Sequence, residues 1–171
     1  LNSCSRMEDH FVFEVGDIHV GQGSSLYKSG VIGGKSLPTF PNLEAIHKET
    51  VAEYVTVFPN LMIGVHPDYF LVFTVNPISP SKTRERMAFY FVGDDAMTPE
   101  NQDLRHLPID LWQDTNDEDI DMIERMQIGR TSPCFDGGCF SPELEHTVYR
   151  YQQMVAKAVR GSEGGGVRGE G

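Results

Sequence analysis

The sequence predicts an α+β domain, an antiparallel sheet followed by segregated helices. Two observations carry this: strand-like segments fill the chain from Phe11 to Val92, and helix signals dominate from Pro99 onward. A third sets the scale, since 171 residues hold one domain of ordinary size.

The strand candidates come in order. His10–Val15 is aromatic and β-branched, which suits a pleated, half-buried surface. Leu26–Ile32 is a weaker candidate, and Gly30–Asn42, with three glycines and two prolines, reads as an irregular loop. Tyr54–Phe58 alternates until Pro59 and Asn60 break it, Leu61–Val65 follows, and His66-Pro67-Asp68 breaks the chain again. Tyr69–Val75 and Met87–Val92 are the best strands, separated by a Pro- and Ser-rich loop over Asn76–Thr83. Short consecutive strands with turn signals read as an antiparallel meander.

Three helices follow. The first covers Pro99 to about Trp112. The second is announced by Thr115-Asn116-Asp117-Glu118, which has the form of a capping box, and it stops at Gly129. The last opens at Ser141-Pro142-Glu143, and its stripe of Leu144, Val148, Tyr151, Val155 and Ala158 is expected to pack across the sheet. Domain organisation is therefore residues 1–160 as the folded unit and 161–171 as a flexible Gly-rich tail.

Composition narrows the partners. With 14 Lys+Arg against 25 Asp+Glu the net charge is −11, which argues against a nucleic-acid binder or a surface that docks on anionic lipid. The apolar runs fall far short of the roughly 20 residues that span a bilayer. The first residues, from Leu1 to Arg6, lack both a Met and the pattern of a signal peptide, so the chain reads as a fragment or a processed product. Cys4, Cys134 and Cys139 make neither a disulfide framework nor a Cys-x-x-Cys site, and they read as buried or inert thiols in a reducing, cytoplasmic setting.

Candidate chemistry is sparse. Asp114, Asp117, Glu118, Asp119 and Asp121 place five carboxylates in eight residues. At a helix N-terminus they favour the dipole and face water. Asp119 is the odd one, because it lies four residues before Ile123 and seven before Met126 and so shares the apolar face. A carboxylate there needs a cation or metal beside it if it is buried. The six histidines form no two-histidine metal motif, and no nucleophile elbow or phosphate-binding loop is present.

Several segments together resemble one family. They are Tyr54–Ile63 with its Pro59-Asn60 break, Asp68-Tyr69 followed by a strand ending at Asn76-Pro77, Asn116–Gly129 followed by Ser132, and Phe140–Glu145. In this order they resemble the C-terminal catalytic domain of the α subunit of Rieske non-haem iron, ring-hydroxylating oxygenases, closest to the choline- and glycine-betaine-monooxygenase branch. The resemblance implies a helix-grip fold, Bet v 1/START-like and incomplete at the N-terminus, with a substrate cavity between sheet and helix. It also implies a mononuclear Fe(II) held by two His and one carboxylate. Electrons would come from NAD(P)H through a reductase or ferredoxin and a [2Fe–2S] cluster. O2 and a small substrate, an aromatic compound or a quaternary amine, would complete the reaction in a homotrimer.

Asp119 matches the family's iron carboxylate, and Met126 and Gln127 become candidates for the substrate side of the same helix. The family's two-histidine motif and the cluster's Cys/His pairs are absent, so the chain is expected to be truncated upstream of Leu1 and inactive alone. A non-enzymatic helix-grip carrier of a hydrophobic ligand, or a degenerate structural subunit, remains the alternative. Tyr54, Tyr69, Phe91 and Trp112 are the residues from which an aromatic cage for an ammonium group would be built, or else ordinary core.

Overall fold

The computed structural model describes residues 10–25, 27–45, 47, 51–143 and 145–163. Cys4, Leu26, Leu144 and residues 164–171 of the tail lie outside them. Six strands, β1 (His10–Val15), β2 (His19–Ser24), β3 (Ala52–Val57), β4 (Leu61–Val65), β5 (Tyr69–Ser79) and β6 (Lys82–Phe91), form one antiparallel sheet in sequence order. Two short 3-10 turns, Asp94–Met97 and Pro99–Asn101, lead into α1 (Gln102–Arg130), and α2 (His146–Glu163) ends the described chain. The α+β class and the meander are as the sequence predicts, and the arrangement is consistent with a helix-grip fold.

β2 is the strand the sequence conceals. Its residues are His19–Ser24, with glycine at 21 and 23, and glycine is depleted in strands. The structure gives the reason at Gly23: a Cβ there would lie 2.4 Å from the Phe11 ring and 3.0 Å from the Ala52 carbonyl oxygen. A missing side chain inside a strand marks such a close approach. The weaker candidate around Leu26–Ile32 forms no strand among the described residues, only a single bridge from Ile32 to Lys35.

The loop expected over Asn76–Thr83 is instead a continuation of the hairpin. Pairing runs from Tyr69 opposite Phe91 out to Ser79 opposite Lys82, so β5 and β6 extend well past the end of β4. At the base of this extension the Asn60 amide donates to the Asn76 side-chain carbonyl at 3.1 Å, and the Val75 N–H donates to the Asn60 carbonyl at 3.0 Å. The Pro59-Asn60 break and the Asn76-Pro77 strand end are thus two halves of one clasp.

Register sorts the side chains onto two faces. Gln22, Tyr54, Gly64, Leu71 and Phe89 lie in one row across the sheet. Both helices pack on this inner face: Trp112 of α1 meets Tyr54 and Tyr69, and Thr147 of α2 donates to Gln22 at 3.2 Å. The outer face carries Val55, Ile63, Val72 and Phe70, all half-buried.

α1 corrects two sequence expectations. The helices expected over Pro99–Trp112 and from Thr115 are one helix, about 43 Å long at 1.5 Å per residue. Thr115 does not cap it; in mid-helix its hydroxyl donates to the Leu111 carbonyl at 2.8 Å. The apolar positions Leu104, Pro108 and Trp112 repeat every four residues ahead of the apparent start signal, and the helix they seat runs on through it with an exposed surface. The acidic run therefore sits in the middle of α1, far from the N-terminal dipole. The first-turn acid is Asp103.

The entry to α1 is braced by Arg105, which donates to the Ala96 carbonyl and, at 2.9 Å, to the Thr98 carbonyl. Beneath it Leu37, Ala96 and Leu104 form a buried cluster with Phe91 packed against it. Hydrogen bonds from a charged donor contribute about 1.5–3 kcal/mol, so Arg105→Ala is expected to lower stability by that order in a urea unfolding curve. An unchanged midpoint would show that the two carbonyls do not need the guanidinium.

α2 begins as a described helix at His146, a few residues after the predicted Ser141 cap. The start signal still operates: the Glu145 carboxylate accepts from the Ser141 N–H at 2.6 Å. The inward stripe is shifted from the predicted one, to Thr147, Tyr151 and Met154, while Val148 is exposed. Arg150 fixes the rotation by donating to the Gly16 carbonyl at 3.2 Å beside Asp17, and the Tyr151 hydroxyl donates to the Pro59 carbonyl. The helix continues to Glu163, three residues into the stretch expected to be tail.

Candidate functional site

Two features of the inner face concern function. The first is a polar aromatic knot where β3, β4 and β5 meet α1. His66-Pro67-Asp68 turns the chain from β4 into β5, with the His66 N–H donating to the Tyr69 carbonyl at 3.0 Å. His66 and Asp68 are only 3% and 2% exposed, and Tyr69 is fully buried. The Tyr69 ring stacks on His66 with centroids 4.1 Å apart, while Tyr27, Tyr54 and Trp112 meet the imidazole edge-on at 4.5, 5.5 and 6.2 Å. Trp112 donates its indole N–H to the Tyr69 hydroxyl at 2.9 Å, and Tyr27 donates its hydroxyl to Asp68 at 3.0 Å.

Among the described residues, neither imidazole nitrogen of His66 has a hydrogen-bond partner. Burial accordingly drives its pKa from 6.5 down to about 3, so the ring is neutral at any physiological pH. Burial also raises the Asp68 carboxyl above its ordinary value and pushes the Tyr27 and Tyr69 phenols up. Gly64 lies beside the imidazole, where a Cβ would rest in ordinary contact with His66 and Tyr54, 3.4 Å from each.

Three of the four rings considered for an ammonium cage, Tyr54, Tyr69 and Trp112, are indeed brought together. They close on His66, so the space an ammonium group would need is filled. Phe91 stands apart, 6.3 Å from Tyr69 and against the Leu37–Ala96–Leu104 cluster. Tyr27 is the member that sequence reasoning missed; it stands in the weak strand candidate Leu26–Ile32, which forms no strand among the described residues.

The second feature is an open cleft of about 370 Å³ between β6 and α1. Met87 and Phe89 line it from the sheet, and Ile109, Gln113 and Asn116 from the helix. Asn116 donates to Glu85 across it at 3.0 Å. Glu85 and Asp117 complete the lining, so the cleft is open and as polar as it is apolar.

Beyond this cleft α1 leaves the sheet, and every residue from Asp117 to Arg130 is exposed. Asp119 and Met126 stand seven and fourteen residues after Trp112, about two and four turns, and so continue the edge of α1 that faces the sheet. Met122 and Ile123, 60% and 56% exposed, flank Asp119 on that edge. Gln127 lies beside Met126 and is likewise exposed.

Asp114, Asp117, Glu118 and Asp121 are also exposed, with Asp121 paired to Arg125 at 2.8 Å. Cys134 and Cys139 are exposed free thiols rather than buried ones. Among the described residues, no three or more His, Cys, Asp or Glu side chains gather into a set that could hold a metal ion. These residues alone do not fit a mononuclear Fe(II), which requires imidazoles beside the carboxylate. No helix among them is long and apolar enough to cross a membrane.

An antiparallel meander whose inner face receives a long helix, with an open cleft between them, defines the α+β class. The sequence matches the family described as the ring-hydroxylating alpha subunit (catalytic domain) over residues 15–161, and the chain belongs to that family. The family implies an oxygenase whose full protein carries non-haem iron and a Rieske cluster.

Proposed function

We propose that this chain supplies the carboxylate ligand and the sheet-and-helix wall of the substrate site in a Rieske-type oxygenase. Asp119 is the iron carboxylate, and Met126 and Gln127 face the substrate further along α1. The observation that carries this reading is the placement of Asp119: one carboxylate on an apolar edge of α1, two turns beyond a tryptophan anchored in the sheet. Fe(II), completed by two imidazoles from outside the described residues, would supply the activation of O2 for insertion into an aromatic or quaternary-amine substrate. The electrons would come from NAD(P)H by way of a reductase or ferredoxin and a [2Fe–2S] cluster, in a cytoplasmic homotrimer.

The experiment adds Fe(II) anaerobically to the 171-residue chain, with and without free imidazole as a stand-in for the two histidines, and measures retained iron after gel filtration. Iron is expected to be substoichiometric alone and to rise with imidazole. Asp119→Asn should abolish the rise, and Asp121→Asn should not. Stoichiometric iron without imidazole would show that the chain holds a complete site. An undiminished rise in Asp119→Asn would remove Asp119 from the ligand set.

A further inference from the structure

The aromatic knot has no role in the reading above, yet its order is specific. Trp112 bonds to Tyr69 at 2.9 Å, and Tyr69 stands 6.2 Å from Tyr27 between ring centroids. His66 fills the remaining space, 4.1 Å from Tyr69 and 4.5 Å from Tyr27. Oxidisable rings therefore run without interruption from α1 to Tyr27, and the last phenol already donates to a buried carboxylate.

We propose that Trp112, Tyr69 and Tyr27 form a redox relay that carries an electron hole from α1 to Tyr27, where Asp68 takes up the phenol proton. The balance is complete. A one-electron oxidant removes an electron from the Trp112 indole. Tyr27 then returns an electron to Trp112 through the Tyr69 and His66 rings. As that electron leaves, the Tyr27 O–H bond breaks and its proton moves along the existing hydrogen bond to the Asp68 carboxylate. The products are a neutral tyrosyl radical, a protonated Asp68 and the reduced oxidant.

The surroundings favour this partition. Burial raises the Asp68 carboxyl, making it the better base, and holds the Tyr27 phenol protonated until an electron is lost. His66 is neutral and neither adds a charge that would oppose the hole nor competes as a charged donor. Tyr27 is half-buried, so an external reductant can refill it. In an oxygenase such a relay would draw surplus oxidising power away from the substrate side, the natural oxidant being oxygen-derived. That use rests on the proposed function, whereas the relay is a property of these side chains alone.

The test needs no iron, O2 or substrate, so its failure is separate from failure of the oxygenase reading. A ruthenium polypyridyl photo-oxidant is tethered through Gln113→Cys, next to Trp112, in the chain with Cys4, Cys134 and Cys139 replaced by serine. After a flash and quench, transient absorption and EPR should show a tryptophan radical giving way to a tyrosyl radical. Tyr27→Phe should abolish the tyrosyl signal and prolong the tryptophan radical, while replacement of the exposed Tyr90 by Phe leaves both unchanged. In deuterated buffer the tyrosyl rise should slow, a result that needs no substitution in the knot. A tyrosyl yield undiminished in Tyr27→Phe, an isotope-independent rise, or no tyrosyl signal at all would overturn the relay.

Discussion

Tyr69→Ala is expected to destabilise the chain by about 3–5 kcal/mol, the range for truncating a large buried aromatic. Tyr69 is the largest fully buried side chain among the described residues, and it joins β5 to α1 through Trp112. Truncation opens a cavity under the His66 stack and leaves the indole N–H without its partner. For a domain of this size, the melting temperature should fall on the order of 10 °C. Tyr69→Phe separates the two contributions: it keeps the ring and removes the acceptor, for a smaller loss of about 1–3 kcal/mol. Equal losses in the two variants would place the whole effect on the hydrogen bond and none on packing.

The second large effect is the acid sensitivity conferred by His66. An unfolded His66 titrates near its ordinary 6.5, whereas burial holds the folded ring at about 3. Between these values the unfolded chain binds a proton that the folded chain refuses. Its contribution to stability is therefore full above pH 6.5 and falls as the pH drops toward 3. At about 1.4 kcal/mol per unit, the loss over that window is on the order of 5 kcal/mol. Asp68 acts in the opposite sense: burial raises its carboxyl above 3.8, so the folded chain loses stability as pH rises from there through the raised value.

His66→Phe removes the first of these limbs and both unpartnered nitrogens, leaving the Asp68 limb. The variant should resist acid better than the parent and be at least as stable at neutral pH. Denaturant melts across the pH range provide the measurement. Parallel curves for parent and variant would mean that the imidazole is protonated in the folded state after all.

Much of the frame was legible because it depends on local chemistry. β1, β4 and the cores of β5 and β6 are runs of β-branched and aromatic residues, and the turn residues between them are read directly. β2 was not legible, because its Gly23 is required by Phe11 and Ala52, which neighbour it only after pairing. The extension of the β5–β6 hairpin was hidden for a similar reason. Its Pro77 and the serines beside it are turn formers by composition, and pairing with Lys82–Thr83 overrides them. The break expected in α1 failed because a capping box is a local signal, and extending a helix that is already formed adds a hydrogen bond per residue without a new nucleation cost.

Among the site residues, Asp119 was singled out by helical spacing, and it stands exposed on α1. What gathers around His66 was beyond the sequence, since Tyr27, Tyr54, Tyr69 and Trp112 come from four separate segments. By itself the sequence determined the α+β class and the antiparallel meander, because periodicity and turn chemistry act within a few residues. Only the tertiary structure decided that the His66 imidazole would be buried with no hydrogen-bond partner among the described residues and ringed by aromatic side chains. That outcome depends on which distant side chains displace water from it, and no local pattern encodes such an event.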